Sequence, residues 1–99
     1  MNSVNSIALS GMNAATLHLG SAAHNIANEQ TPGFRRQLVT QQAQAEGGVS
    51  ATVTQADAVG VNLAEDIVQQ RVASYSFKAS LQLIQTEHQM LGSLLDLKA

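Results

Sequence analysis

The sequence predicts an all-α fold, in which two long helices pack as an antiparallel, coiled-coil-like hairpin with a loop or short β-hairpin between them. Apolar residues recur with heptad spacing at both ends of the chain. Aromatic residues make up only 3% of the 99 residues, so a core must use small and aliphatic side chains, which suit helix-on-helix packing. We expect one domain, with an N-terminal helix and turn (1–33), a connecting segment (34–60) and a C-terminal helix (61–99).

The N-terminal helix is predicted from about Ser3 to Asn28. Thr31-Pro32-Gly33 ends it, because the residue before a proline avoids the α region and glycine permits a sharp turn. The helix is expected to pack through a heptad seam formed by Ala8, Met12, Ala15, Leu19, Ala22 and Ile26. Met12, Leu19 and Ile26 are the large members of this seam and are predicted interface residues.

The connecting segment contains two β-prone stretches. Residues 38–40 are Leu-Val-Thr, and residues 49–54 alternate apolar and polar side chains with a period of two. A short β-hairpin that turns near Gly47-Gly48 is one interpretation. Disorder is the other, because an isolated hairpin is only marginally stable in water.

The C-terminal helix is predicted from about Asn62 to Leu97, which is roughly 50 Å at 1.5 Å per residue. Asn62 and Glu65 have the spacing of a capping box. The predicted interface residues of its heptad seam are Phe77, Leu81, Ile84, Leu91 and Leu95. A second apolar stripe consists of Val61, Ala64, Val68, Tyr75, Ala79, Met90, Leu94 and Leu97. Because two helices share only one mutual interface, the second stripe predicts assembly with copies of the chain or with similar helices.

Composition excludes several functional classes. The net charge is -2 and five scattered Lys and Arg residues form no patch for nucleic acid or anionic lipid. There is no Cys, and no apolar run approaches the ~20 residues that span a bilayer. Residues 1–10 carry no Lys or Arg and lack the pattern of a secretory signal, so we expect any export to use a route without a cleaved signal peptide.

Catalytic and cofactor chemistry are not expected. His18 and His24 fall on different faces of a helix, and with His88 they form no convincing metal site. The serines and threonines show no nucleophile motif with an ordered base. Glu65 and Asp66 are adjacent, so they point in different directions on a helix and are expected to serve as favourable charges at its N-terminus. We therefore predict no catalytic, metal-binding or cofactor-binding residues and no cofactor.

Two stretches near the start of the chain form an ordered motif. Residues 8–15 are Ala-Leu-Ser-Gly-Met-Asn-Ala-Ala, and residues 24–36 contain Asn-Ile-Ala-Asn, two variable residues, and Thr-Pro-Gly-Phe before a basic pair. This order resembles the N-terminal signature of the flagellar rod, hook and hook-associated axial proteins. Residues 61–66 and 85–97 resemble the family's C-terminal motif, although Phe77 and Ser80 stand where that family favours Tyr and Asn.

The resemblance covers roughly the first 36 and the last 40 residues, and it implies a structural subunit of the flagellar basal-body rod. Such a subunit would polymerise through its terminal helices, support flagellum assembly and motility, and lie in the periplasm after passing through the flagellar export apparatus. Its partners would be copies of itself, as a homo-oligomer, and other axial proteins. The alternative is a cytoplasmic helical adaptor or export-regulating partner of axial proteins, which is never built into the rod.

The family motif also suggests a fixed joint after the N-terminal helix, which would dock on the next subunit. The competing interpretation is local: Asn28 and Thr31 end the helix and satisfy its last carbonyls. Arg35 and Arg36 are expected either to pair with acidic residues of a neighbour or to remain solvated. The residues predicted for the joint are Asn25, Asn28, Thr31, Pro32, Gly33 and Phe34.

Overall fold

The computed structural model describes residues 2–98 and consists of two helices with a β-hairpin between them. The helices are α1 (Asn2–Ala27) and α2 (Leu63–Lys98), and the strands are β1 (Gln37–Ala43) and β2 (Val49–Gln55). The Cα atoms extend over 64 × 25 × 13 Å, so the molecule is long and thin. The two helices pack antiparallel along the long dimension, because α2 follows α1 after a connection that returns to the same end.

The all-α prediction is wrong, because the connecting segment forms an ordered two-stranded antiparallel sheet and the fold is mixed α/β. The strands pair in one continuous register from Gln37 opposite Gln55 to Ala43 opposite Val49. Their β-branched residues favour extended backbone. The hairpin packs along α1, and over the described extent of these elements no Cα atom of either strand lies within 8 Å of one in α2. This support from α1 removes the instability expected of an isolated hairpin.

The tip of the hairpin is held against α1 by a hydrogen-bond chain. The Ser10 hydroxyl donates to the Ile7 carbonyl at 2.7 Å, and it accepts from the Val49 N–H at 3.1 Å. Gly47 and Gly48 have φ values of +101° and +87°, which L side chains rarely adopt. A Cβ atom at position 48 would lie 2.6 Å from Ser10 Oγ. Glycine is therefore required at position 48 by both backbone conformation and close approach.

Replacing Gly48 with Ala is expected to lower the free energy of unfolding by about 1–2 kcal/mol, because the left-handed backbone becomes strained. The contact with Ser10 adds to this loss. The matched control is Gly20→Ala, which should stabilise by about 1 kcal/mol, since Gly20 lies inside α1 and a Cβ atom there would meet no side chain within 4 Å. Chemical denaturation followed by circular dichroism measures both; equal shifts in the two variants would contradict the tip geometry.

The helices meet through small residues. A Cβ atom at Gly11 would lie 3.0 Å from Ser80 Oγ, so the backbones approach closely there. The same register places Asn25 opposite Asp66 at the other end of the interface. Among the side chains of residues 4–97, the buried hydrophobic ones are Ala8, Ala14, Ala15, Ala22 and Ala73. The chain by itself therefore has a thin core made of alanine.

The helix contact line on α2 is displaced from the heptad seam expected from the sequence, whereas Ala8, Ala15 and Ala22 of the seam expected on α1 are buried. On α2 it follows Asp66, Ala73 and Glu87, which are buried and separated by multiples of seven. On α1, Ala14 and Ser21 are also buried; they continue the heptad position of Ile7, which lies under the hairpin tip. Helix α1 thus divides its buried surface between α2 and the hairpin, whereas a two-helix interpretation assigns it all to α2.

The predicted interface residues fall into two groups. One group is half-buried within the chain and consists of Met12, Leu19, Ile26, Phe77 and Ile84. The other group, Leu81, Leu91 and Leu95, is exposed on α2. The structure therefore leaves the second group free to contact another molecule.

Candidate functional site at the joint of the helices

Local hydrogen bonds link the residues that follow α1 to the last turn of the helix. The Asn28 N–H donates to the His24 carbonyl at 3.2 Å, and the Asn28 side-chain amide donates to the same carbonyl at 2.9 Å. The Thr31 hydroxyl donates to Asn28 Oδ1 at 3.2 Å. Asn28 and Thr31 therefore satisfy groups that the end of a helix leaves without intrahelical partners.

A tight turn redirects the chain from α1 toward β1. The Phe34 N–H donates to the Thr31 carbonyl at 3.3 Å, which closes a four-residue turn with Pro32 and Gly33 at its centre. Gly33 has φ +73°, as the third position of a type II turn requires, and proline suits the second position. The Phe34 ring then lies against His24, with ring centroids 5.4 Å apart. The local sequence thus fixes the direction in which the chain leaves α1.

Asn25 connects three elements of the fold at the base of the hairpin. Only 2% of its surface is exposed. Its Oδ1 accepts from the Gln37 N–H at 2.8 Å, while its Nδ2 donates to the Gln37 carbonyl at 3.0 Å and to Asp66 Oδ1 at 3.3 Å. One side chain of α1 therefore holds both the first residue of β1 and the first turn of α2.

A buried ion pair lies beside Asn25. Asp66 is 1% exposed, and its Oδ1 accepts from Arg36 Nη2. Glu65 Oε2 lies 3.9 Å from Arg36 Nη1 at a more exposed position. The hydrogen bond to Asp66 raises the pKa of Arg36, so the guanidinium remains charged wherever the protein is folded. The expectation that Arg36 pairs with a neighbour or stays solvated is wrong, because its partner is within the same chain.

The start of α2 has the predicted capping box. The Glu65 N–H donates to Asn62 Oδ1 at 3.2 Å, and the Asn62 amide donates back to Glu65 Oε2 at 2.9 Å. The cap fixes where α2 begins, and this places Asp66 at the point where it meets Asn25 and Arg36. The predicted cap at Asn62 is therefore confirmed, with the difference that Glu65 accepts from the Asn62 side-chain amide and not from its backbone N–H as in a standard capping box.

The segment that follows β2 is hydrogen-bonded to the residues that precede β1. The Ala56 N–H donates to the Arg36 carbonyl at 2.8 Å, and the Gly60 N–H donates to the Phe34 carbonyl at 3.2 Å. Arg35 Nε donates to the Ala56 carbonyl. The joint predicted from the sequence, which consists of Asn25 and the turn at 28–34, is thus extended in the structure by Arg36, Gln37 and Asp66, and we keep the name joint for the whole cluster. It fixes α1, the hairpin and α2 relative to one another.

The structure brings together all the motif residues predicted for the joint, but sequence analysis missed Arg36 and Asp66 as parts of it. Asp66 had a sufficient local explanation as a favourable charge at the start of a helix. The signal that could have found them was topological: Arg36 follows the end of one helix and Asp66 begins the next, and an antiparallel arrangement places those two ends side by side.

The joint has the character of a structural connection. Its charged and polar groups are directed at one another. Within residues 2–98 no three His, Cys, Asp or Glu side chains are grouped so that they could hold a metal ion. A separate cleft of about 260 Å³ lies between the helices beside β1, and His18, Gln41 and Gln69 are its most polar residues. Across the same described part of the chain, no helix is long and apolar enough to cross a membrane.

Comparison with known families gives a match for the C-terminal part of the chain. Residues 56–97 match the family model described as flagellar basal body rod FlgEFG protein C-terminal. This segment comprises the end of the connection and nearly all of α2, including Asp66 of the joint. For these residues the match confirms the predicted resemblance to the rod and hook axial family, and it supports a structural role of the flagellar basal-body rod type. No curated protein shows significant similarity to the chain.

Proposed function

We propose that the chain is a structural subunit of the flagellar rod that polymerises through its terminal helices. It is exported without a cleaved signal peptide through the flagellar export apparatus and is built into the periplasmic part of the basal body. There it contacts copies of itself and other axial proteins, and its incorporation supports flagellum assembly and motility. The rod family match and the burial pattern both support this role.

The observation that carries the proposal is the mismatch between the core and the apolar content of the chain. The fully buried hydrophobic residues are alanines, whereas large aliphatic side chains along both helices remain exposed. Burial of apolar surface is worth about 25 cal/mol per Å², so side chains left in water contribute little to the stability of the free chain. Packing against further helices would recover that free energy, which favours a subunit of an assembly over an independent globular domain.

The joint has a clear role in such an assembly. It holds α1, the hairpin and α2 in one relative arrangement through buried hydrogen bonds and an ion pair. A subunit whose helices are pre-ordered loses less conformational entropy when it binds the next one. The joint therefore acts as the rigid part of the subunit, while the exposed helix faces make the contacts.

The exposed members of the predicted interface are the contacts that we propose on α2. Leu81 is 40% exposed, Leu91 42% and Leu95 63%. The half-buried members of the prediction, such as Phe77 and Ile84, lie at the edge of the same surface. They would support the exposed leucines from inside the subunit and extend the contact toward α1.

Replacing Leu81 with Glu is expected to block incorporation at little cost to folding. Its side chain already contacts water, so the free energy of unfolding should change by less than about 1 kcal/mol. A charge desolvated at a subunit contact is costly, so we expect at least a tenfold lower amount in purified hook–basal bodies. The measurement is a quantitative immunoblot of basal bodies from cells that express the variant.

The matched control is Gln82→Glu, which introduces the same charge at the adjacent exposed position. Gln82→Glu should be incorporated normally. Wild-type amounts of Leu81→Glu in basal bodies would contradict a subunit contact at Leu81. The adaptor alternative predicts a third result, in which every variant, and the unmodified chain as well, remains in the cytoplasmic fraction.

A further inference from the structure

Backbone groups of the hairpin point alternately inward, to the partner strand, and outward, to the two edges of the sheet. The Gln44 N–H donates to the Gly48 carbonyl at 3.0 Å, directly beyond the last strand pair, so these two residues form an inward, hydrogen-bonded pair. In the continuous register the even-numbered residues of both strands are then inward, and the odd-numbered residues direct N–H and C=O groups outward. Gln37 agrees with this assignment, because both of its backbone groups are bound by Asn25 and not by β2.

The outer edge of β1 is obstructed by the rest of the chain. At its start, Asn25 occupies the position that an added strand would take beside Gln37. Further along, Gln41 lines the cleft beside α2 together with Val68 and Gln69. A strand that paired with β1 would lie about 4.8 Å from it and would have to enter this cleft. Helix α2 therefore restricts pairing at the β1 edge.

The outer edge of β2 lies on the side of the hairpin away from α2, since no residue of β2 lines that cleft. At the tip, the outward N–H of Val49 is bound by the Ser10 hydroxyl. The remaining outward groups belong to Ala51, Val53 and Gln55, and no hydrogen bond within the described part of the chain satisfies them. The β2 edge thus offers three consecutive outward residues for pairing.

The sequence of the strands does not protect this edge. Edge strands in natural proteins usually carry a charge, a proline or a bulge that prevents pairing with another chain. Residues 37–43 and 49–55 contain no charged residue and no proline, and their register is continuous. Val53 is also 41% exposed, so an apolar side chain stands at the centre of the unpaired groups. The β2 edge is therefore suited to strand addition.

We propose that β2 pairs edge to edge and antiparallel with β2 of a second copy, about a twofold axis at Val53. Val53 then lies opposite Val53 of the second copy, and Ala51 of each copy lies opposite Gln55 of the other. Each of these pairs exchanges two hydrogen bonds. Because Ser10 already occupies the outward side of Val49, the register centred on Val53 is the one that uses all the groups left. The edge is thus complementary to itself, which identifies a second copy as the partner.

The pairing produces a four-stranded antiparallel sheet, which is more stable than a two-stranded one. The twofold axis is perpendicular to the sheet, so the α1 helices of both copies lie on the same face. Their hairpins are centred two strand spacings apart, about 10 Å, which is a distance at which helices pack. The two Val53 side chains also meet across the new strand pair and cover one another.

The twofold dimer is distinct from the rod-type assembly proposed above. An interface made of the same patch on both copies closes on itself and does not extend into a filament. The dimer would cover the unprotected edge in the free protein and would have to separate before incorporation. Because it is a property of the isolated protein, its test is independent of whether the chain is found in basal bodies.

Disulfide trapping tests the register in the purified full chain, which contains no natural Cys. Thr52 and Thr54 are exposed on the face away from α1, and the proposed register places Thr52 of one copy opposite Thr54 of the other. Their Cα atoms would be about 4.5 Å apart, within reach of a disulfide. A mixture of Thr52→Cys and Thr54→Cys should therefore cross-link at least tenfold faster under mild oxidation than either variant alone.

The matched control is Thr40→Cys, which is exposed on β1 beside Thr52 and would lie on an outer strand of the dimer. It should cross-link only slowly. A mixture of Thr52→Cys and Thr54→Cys that links no faster than Thr40→Cys would overturn the proposal. Fast linking of Thr52→Cys alone would overturn the register, and fast linking of Thr40→Cys would show that β1 and not β2 forms the contact.

Sedimentation equilibrium of proline variants provides the second measurement. Val53→Pro removes an outward N–H that the hairpin itself does not use, so it should weaken dimerisation at least tenfold while the circular dichroism spectrum is retained. Val39→Pro makes the same change at the residue directly opposite in the hairpin, on the other edge, and should leave dimerisation unchanged. Equal effects of the two variants, or an unmodified chain that remains monomeric, would contradict pairing through β2.

Discussion

Replacing Asp66 with Ala is expected to lower the free energy of unfolding by about 3–5 kcal/mol, because it leaves the guanidinium of Arg36 without its buried partner. The Arg36 side chain is only 14% exposed, so water restores little of the lost interaction. The variant also removes an acceptor from the Asn25 amide. Urea unfolding of the purified chain, followed by far-ultraviolet circular dichroism, measures the effect.

The matched control for Asp66 is Glu65→Gln. Glu65 lies next to Asp66 and also faces Arg36, but at 3.9 Å and with its side chain 50% exposed, so its loss should cost less than about 1 kcal/mol. A double variant, Arg36→Met with Asp66→Ala, should be more stable than Asp66→Ala alone, since no buried charge remains unpaired. A change below about 1 kcal/mol in Asp66→Ala would contradict the ion pair as the main stabilising element of the joint.

Replacing Asn25 with Ala is expected to lower the free energy of unfolding by about 2–4 kcal/mol, since it leaves the backbone N–H and carbonyl of Gln37 without these partners in a partly buried position and also removes the buried contact with Asp66. The variant should also destabilise the base of the hairpin more than the middle of α2. Hydrogen exchange of the Gln37 amide should accelerate more than that of amides in the middle of α2, because the base of the hairpin is released from α1.

Asn28→Ala is the appropriate comparison for Asn25. Both residues belong to the same Asn-Ile-Ala-Asn motif, but the hydrogen bonds of Asn28 lie in an exposed turn and link only neighbouring residues. We expect its loss to lower the free energy of unfolding by about 1 kcal/mol, which is typical of an exposed local hydrogen bond. Equal or larger destabilisation by Asn28→Ala would mean that local ending of α1, and not the connection of three elements by Asn25, is the main role of the motif.

The elements governed by local pattern were predicted well. Both helices begin and end within one residue of the predicted bounds, because heptad spacing, the Pro32-Gly33 break and the Asn62 cap are all local signals. The strands and the turn at Gly47-Gly48 are also visible in the sequence. The fold class was wrong because the stability of the hairpin depends on packing against α1 and on the Ser10–Val49 hydrogen bond, which spans 39 residues.

In the joint, too, the local contacts could be predicted from the sequence and the long-range contacts could not. Asn28, Thr31 and the turn act on neighbours in sequence, and the motif indicates them directly. The contacts of Asn25 and Arg36 with Asp66 span 41 and 30 residues, and only the antiparallel packing of the helices brings these groups together. The displaced contact line on α2 has a related cause, because it includes Asp66, whose contact with Asn25 is long-range and is not visible in the heptads of α2.

The measurement that tests the central claim most directly is the amount of the protein in purified hook–basal bodies, relative to a known rod component and to the cytoplasmic fraction. Quantitative immunoblotting or mass spectrometry is suitable. We predict a fixed, near-stoichiometric amount in basal bodies that resists washing with high salt, because the contacts are mainly apolar. Absence from basal bodies, with the protein retained in the cytoplasm, would contradict a structural subunit of the rod and favour the adaptor alternative.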